Sequence, residues 1–164
     1  MTCIKAAFCA LGHIGSVNEE KEILSAISAA KKPTVVYACS GCSDAGEIAD
    51  RVARQLSRDD AAQMSCLAGI GGRVKSLMLK AENAERILVV DGCPLNCAAH
   101  TLKLAGFNNF EHLELHKIGI RKGSCPVTDE KISAGVKAAK KILESESNAE
   151  KLTANLGEAL MTAK

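Results

Sequence analysis

Four short apolar runs constrain the fold of this chain, because each ends in a turn bearing glycine or cysteine and leads into a helical pattern. Thr34-Val-Val-Tyr-Ala38 is apolar and β-branched, hence a strand. Cys39-Ser-Gly-Cys42-Ser-Asp follows it, then a helix over about 45–56. Residues 61–66 are a weaker strand, followed by Gly69-Ile-Gly-Gly72 and a helix over about 73–80. Arg86-Ile-Leu-Val-Val-Asp91 is the clearest strand, closed by Gly92-Cys93-Pro94 and a helix to about 105. Residues 111–117 alternate Leu113 and Leu115 with His112, Glu114 and His116, the pattern of a half-exposed edge strand. Gly123-Ser-Cys125-Pro126 then opens a helix over about 128–143.

Strands alternating with helices require a parallel sheet with right-handed crossovers. The predicted fold is α/β and three-layer: a four-stranded parallel sheet with helices on both faces, Rossmann-like. Strand order 2-1-3-4 is favoured, because it sets the first and third strands side by side and brings their cysteine turns together. Three regions are expected: an N-terminal extension and helix (1–32), the α/β domain (33–143) and a C-terminal helix (144–164). In the first, Ser16-Val-Asn-Glu19 reads as a capping box for a helix to about Lys31, with Ile23, Leu24 and Ile27 on one face. In the last, Leu152, Leu156, Ala159 and Leu160 form a narrow apolar stripe suited to docking on the domain or on a second copy as a homodimer.

Composition excludes several function classes. The 164 residues are 47% apolar and 24% charged, which suits one folded domain and argues against disorder. No apolar run approaches the roughly 18 residues of a membrane span. The first residues lack a convincing cleavage site, so a cytoplasmic protein without a membrane partner is expected. A net charge of +2 with three Phe, one Tyr and no Trp supplies neither the basic footprint nor the stacking surface for nucleic acid.

Cysteine is the outlier, with eight in the chain. In a reducing compartment, paired thiols point to metal or redox chemistry rather than to disulfide staples. Cys39 and Cys42 follow the first strand, Cys66 ends the second, Cys93 and Cys97 follow the third and Cys125 follows the fourth. In a parallel sheet all these positions lie beyond the carboxyl ends of the strands, where open α/β sheets hold ligands. The spacing Cys39-x-x-Cys42 lets two sulfurs close on one ion. In Cys93-Pro-Leu-Asn-Cys97, Pro94 fits the first helical position, making Cys93 the cap and placing Cys97 one turn on along the same face. Both pairs then sit at helix N-termini, whose N–H groups favour thiolate.

Cys39-Ser-Gly-Cys42-Ser-x-x-Gly46, Cys66-x-x-Gly69-x-Gly71-Gly72 and Asp91-Gly92-Cys93-Pro94-x-x-Cys97 resemble the DGC-domain family, named for its Asp-Gly-Cys tripeptide. The resemblance covers about 33–143, with Asp-Gly-Cys-Pro-x-x-Cys as its most specific element. It implies zinc binding through four cysteines, carried over here to Cys39, Cys42, Cys93 and Cys97; Cys66 is a candidate fifth participant by its place at a strand end. Cys3 and Cys9 lie outside it and inherit no role.

Other signals have ordinary readings beside functional ones. Cys66 and Cys125 fit small buried hydrophobes as well as site residues. The segment from Cys66 to Arg73 suggests a phosphatase loop, but six residues separate the two where that loop has five. His100 suits a helix surface, and His13 has no partner in sequence. His112, Glu114 and His116 suit either a chelating patch or a solvated edge. Asp91 would repel neighbouring thiolates if it pointed inward, so its carboxylate is expected to accept backbone N–H bonds in the turn. Ser40 and Ser43 either donate to sulfur or cap the helix.

The functional expectation is a thiolate metal protein with Zn²⁺ at the carboxyl edge, structural or carried. An iron–sulfur cluster on the same cysteines is the alternative cofactor. The rival reading is a thiol redox, sulfur- or selenium-transfer enzyme using Cys39-x-x-Cys42, with Cys66 or Cys93 resolving the intermediate.

Overall fold

The computed structural model describes residues 33–40 and 43–162, with side chains through 145. The expected N-terminal capping box and helix, Cys3, Cys9, His13, Cys42 and the apolar stripe from Leu152 to Leu160 lie outside these described residues or side chains.

β1 (Thr34–Ala38) and β3 (Arg86–Asp91) pair in parallel along their whole lengths, from Thr34 opposite Arg86 to Ala38 opposite Val90. From Val35 to Ala38 and from Ile87 to Asp91 every residue is buried, so helices cover both faces of these central strands. β2 (Gln63–Met64) adds to β1 and β4 (Glu111–Glu114) adds to β3, both parallel. The order is β2-β1-β3-β4, as the pairing of cysteine turns predicted. The chain winds outward from β1 in one direction and from β3 in the other, so the turns after these two strands flank the switch point.

The helices are α1 (Asp44–Arg58), α2 (Leu67–Gly71), α3 (Lys75–Glu82), α4 (Cys97–Leu104) and α5 (Asp129–Thr162). Ser43 starts α1 by accepting a hydrogen bond from Gly46 N at 3.2 Å, with Asp44 and Glu47 in the first turn. Its inner face, including Ile48, Val52 and Leu56, is fully buried. Gly135 lets α5 approach α1 closely, since a Cβ there would stand 2.5 Å from Val52 Cγ2. No helix among the described residues is long and apolar enough to cross a membrane.

Several element boundaries differ from the sequence reading. The second strand shortens to Gln63–Met64, and Cys66 becomes the residue preceding α2. Arg73, at φ 56°, then separates α2 from α3 instead of opening a helix. Its guanidinium donates to Ile70 O at 2.8 Å and Leu104 O at 2.5 Å, fixing this break against α4. The edge strand ends at Glu114, because Leu115–Ile118 tighten into a 3₁₀ turn closed by Gly119 at φ 89°. At the C-terminus, α5 runs unbroken for 34 residues through the boundary expected at 143–144.

Gly135→Ala is expected to destabilise the domain by about 1–3 kcal/mol through overpacking against Val52. Val52→Ala in the same chain is expected to recover part of that loss, read as positive coupling in urea unfolding.

Candidate metal and thiol site

The candidate site is built where the turns after β1 and β3 meet. The parallel ladder continues one residue past β1, with Cys39 N donating to Val90 O at 2.9 Å. The next contact joins the turns through a side chain: Gly92 N donates to Cys39 Sγ at 3.0 Å. Gly92 also lies against the first turn of α1, where a Cβ would meet Ala45 O at 2.4 Å. The central residue of Asp91-Gly92-Cys93 must therefore be glycine for steric reasons.

Asp91 is 1% exposed and points inward. Its carboxylate accepts from Ala98 N at 2.9 Å and Ala99 N at 3.1 Å, satisfying two free donors at the start of α4. Its second oxygen also pairs with His112 Nε2 at 2.9 Å across the β3–β4 pair. Burial by itself would raise the Asp91 pKa; the His112 and backbone bonds outweigh it and hold the group below its ordinary value of 3.8. The expectation that this carboxylate accepts backbone N–H groups holds, although the donors belong to the helix rather than to the turn.

This arrangement corrects the expected geometry of the second cysteine pair. Cys93 is not a helix cap and does not share a helical face with Cys97. Helix α4 begins at Cys97, preceded by Asn96 in the left-handed region at φ 48°. Asn96 N donates to Cys93 O at 3.1 Å, so Pro94 lies within a turn instead of at the first helical position. The physical reason is that Asp91 already takes the N–H groups a cap would have satisfied.

The sulfurs occupy different environments. Cys39 is 8% exposed and belongs to the core, Cys93 is half-buried and Cys97 is exposed. Burial pushes the Cys39 thiol up to about 11; the Gly92 N–H opposes the shift, while Asp91 and Cys93 add to it. Proximity to a helix start was expected to favour thiolate, but at Cys39 desolvation prevails. Cys66 is exposed and Cys125 is buried in the core. Among the described residues, no three His, Cys, Asp or Glu side chains are arranged to hold a metal ion.

His112 and His116 make polar contacts on and just after the outer strand. His112, Glu114 and His116 form a chain of polar contacts, with His112 Nδ1 at 3.8 Å and His116 Nε2 at 3.5 Å from Glu114. Glu114 is further tied to Lys117 at 2.5 Å and Asn96 at 3.4 Å, while His100 is exposed. Ser43 acts as a helix cap. The sequence reading missed the Asp91–His112 pair. Its available signal was register: in the parallel pair with β3, His112 stands opposite Val89, two positions before Asp91.

With this geometry in view, a comparison with protein-family models matches residues 35–143 to the DGC domain. The chain belongs to the DGC-domain family. A relative from Pseudomonas aeruginosa, the anaerobic and virulence modulator AnvM, is 42% identical over 88 residues, which make up 54% of this chain and 67% of that protein. No solved structure matches the chain. The Asp-Gly-Cys tripeptide that names the family thus combines a buried clamp, a steric contact and a sulfur in consecutive positions.

Asp91→Asn removes the charge on which two backbone N–H groups and His112 depend, with an expected cost of about 1.5–3 kcal/mol in urea unfolding at neutral pH. Because the folded-state pKa of Asp91 is depressed, its contribution is present above the ordinary value of 3.8 and is lost as pH falls through the lower folded value. The Asn variant is therefore expected to show a shallower decline of stability on the acid side than the parent.

Proposed function

We propose that this DGC-domain protein binds Zn²⁺ through the thiolates of Cys39, Cys42, Cys93 and Cys97, as a structural or carried ion. The observation that carries the reading is the bond from Gly92 N to Cys39 Sγ, which brings together two sulfur-bearing turns 53 positions apart in sequence. The donor chemistry fits a thiophilic divalent cation: sulfur ligands lie beside the ionised carboxylate of Asp91. A bound ion would cross-link the turns after β1 and β3. Cys42 is the fourth ligand that this reading requires, and metal capture is coupled to deprotonation of the thiols.

Four sulfurs complete a tetrahedral sphere, so this ion would lack the open position that hydrolytic zinc needs. Burial of Cys39 also disfavours the rival in which Cys39-x-x-Cys42 attacks an external disulfide.

Anaerobic purification with elemental analysis is expected to give about one zinc per chain, with about four of the eight thiols released to a thiol reagent only after chelation. Cys39→Ser, Cys42→Ser and Cys93→Ser should each lower the zinc content, whereas Cys66→Ser should not. A brown protein containing iron would replace zinc with a cluster on the same ligands. Eight thiols titrating equally before and after chelation, with no bound metal, would overturn the reading.

A further inference from the structure

A second feature lies beside this candidate centre and shares Cys97 with it. A groove of about 1070 Å³ runs along the carboxyl ends of β1 and β2, between the outer part of α1 and the segment from α2 to α4. Arg58 and Lys80 line it, and neither forms an ion pair among the described residues. The remaining charged residues there, Arg54 and Asp50, neutralise one another at 2.6 Å. The unbalanced charge on the wall is positive.

The rest of the lining narrows the class of ligand. Met64, Leu67 and Leu77 provide an apolar side for a short carbon chain. Ser65 lines the same groove at 9% exposure, with its buried hydroxyl facing that of Tyr37. The unpaired cationic side chains on the wall suit an anionic ligand better than a neutral one. The Cys66 thiol is exposed in this groove, with Cys97 further along its lining.

We propose that the groove binds a small carboxylate-bearing disulfide, placing its sulfur against Cys66 for thiol–disulfide exchange. The Cys66 thiolate attacks one sulfur of the ligand; a new S–S bond forms to Cys66 as the ligand's own S–S bond breaks. The departing sulfur leaves with the bonding electrons as a thiolate and takes a proton from water. Cys66 ends as a mixed disulfide, and half of the ligand is reduced to thiol. A free thiol of the same class reverses the step, so the modification is a reversible switch. Arg58 and Lys80 act by raising the local concentration of the anion. Cys66 is not one of the four sulfurs assigned to zinc, so this proposal stands or falls separately from the metal reading.

The test uses the full chain as purified, with oxidised glutathione as the anionic disulfide and cystamine as the cationic one, at low salt. Intact mass gives the rate and peptide mapping gives the site. The anionic reagent is expected to modify Cys66 at least about tenfold faster than the cationic one, with added salt shrinking the ratio. In Arg58→Ala/Lys80→Ala, two surface changes that leave the core untouched, the ratio should fall to about one. As a measurement independent of exchange, S-methylglutathione should slow iodoacetamide labelling of Cys66 in the parent and not in the double variant. Equal rates for the two disulfides, a ratio unaffected by the double substitution, or an adduct that persists in Cys66→Ser would each overturn the proposal.

Discussion

The carboxylate of Asp91 is the constraint on which the geometry of the sheet's carboxyl edge depends. One side chain at the end of β3 takes two N–H groups from α4 and pairs with a histidine on β4. Three elements are thereby held to one buried charge. An ionised group almost fully removed from water is tolerable only with such a complement of donors, because each replaces part of the lost hydration. The next residue in the chain, Gly92, then turns to the opposite side and meets α1 and Cys39. The relative placement of the two turns is consequently set from the β3 side.

The same charge shapes the chemistry of its neighbours. Burial does most to keep the proton on Cys39, and the nearby carboxylate adds to that effect. The exposed Cys66 lies in a groove whose unpaired charges are cationic. The edge of this sheet thus separates two kinds of thiol by environment: one enclosed beside an anion, the other open beside cations. Their identical residue type conceals this contrast in the sequence.

Much of the architecture was legible because short apolar runs and glycine-bearing turns report local structure directly. The parallel order followed from asking which arrangement would bring the cysteine turns together. Fine geometry around Cys93 was less accessible. Pro94 carries a strong helix-start preference, but a remote carboxylate had already taken the donors of α4, leaving the intervening residues to form a turn. The Asp91–His112 pair depends on strand register across 21 positions, which periodicity alone does not give. The short β2 likewise reflects tertiary competition: Ser65 still hydrogen-bonds to β1 through its backbone, yet the chain is already turning toward α2.

The outer strands differ sharply in length from the inner ones. β2 has two residues, and β4 has four before its 3₁₀ turn bends the backbone away. A neighbouring molecule seeking to extend the sheet would find little straight main chain on either flank, so the domain carries a built-in guard against lateral stacking into aggregates.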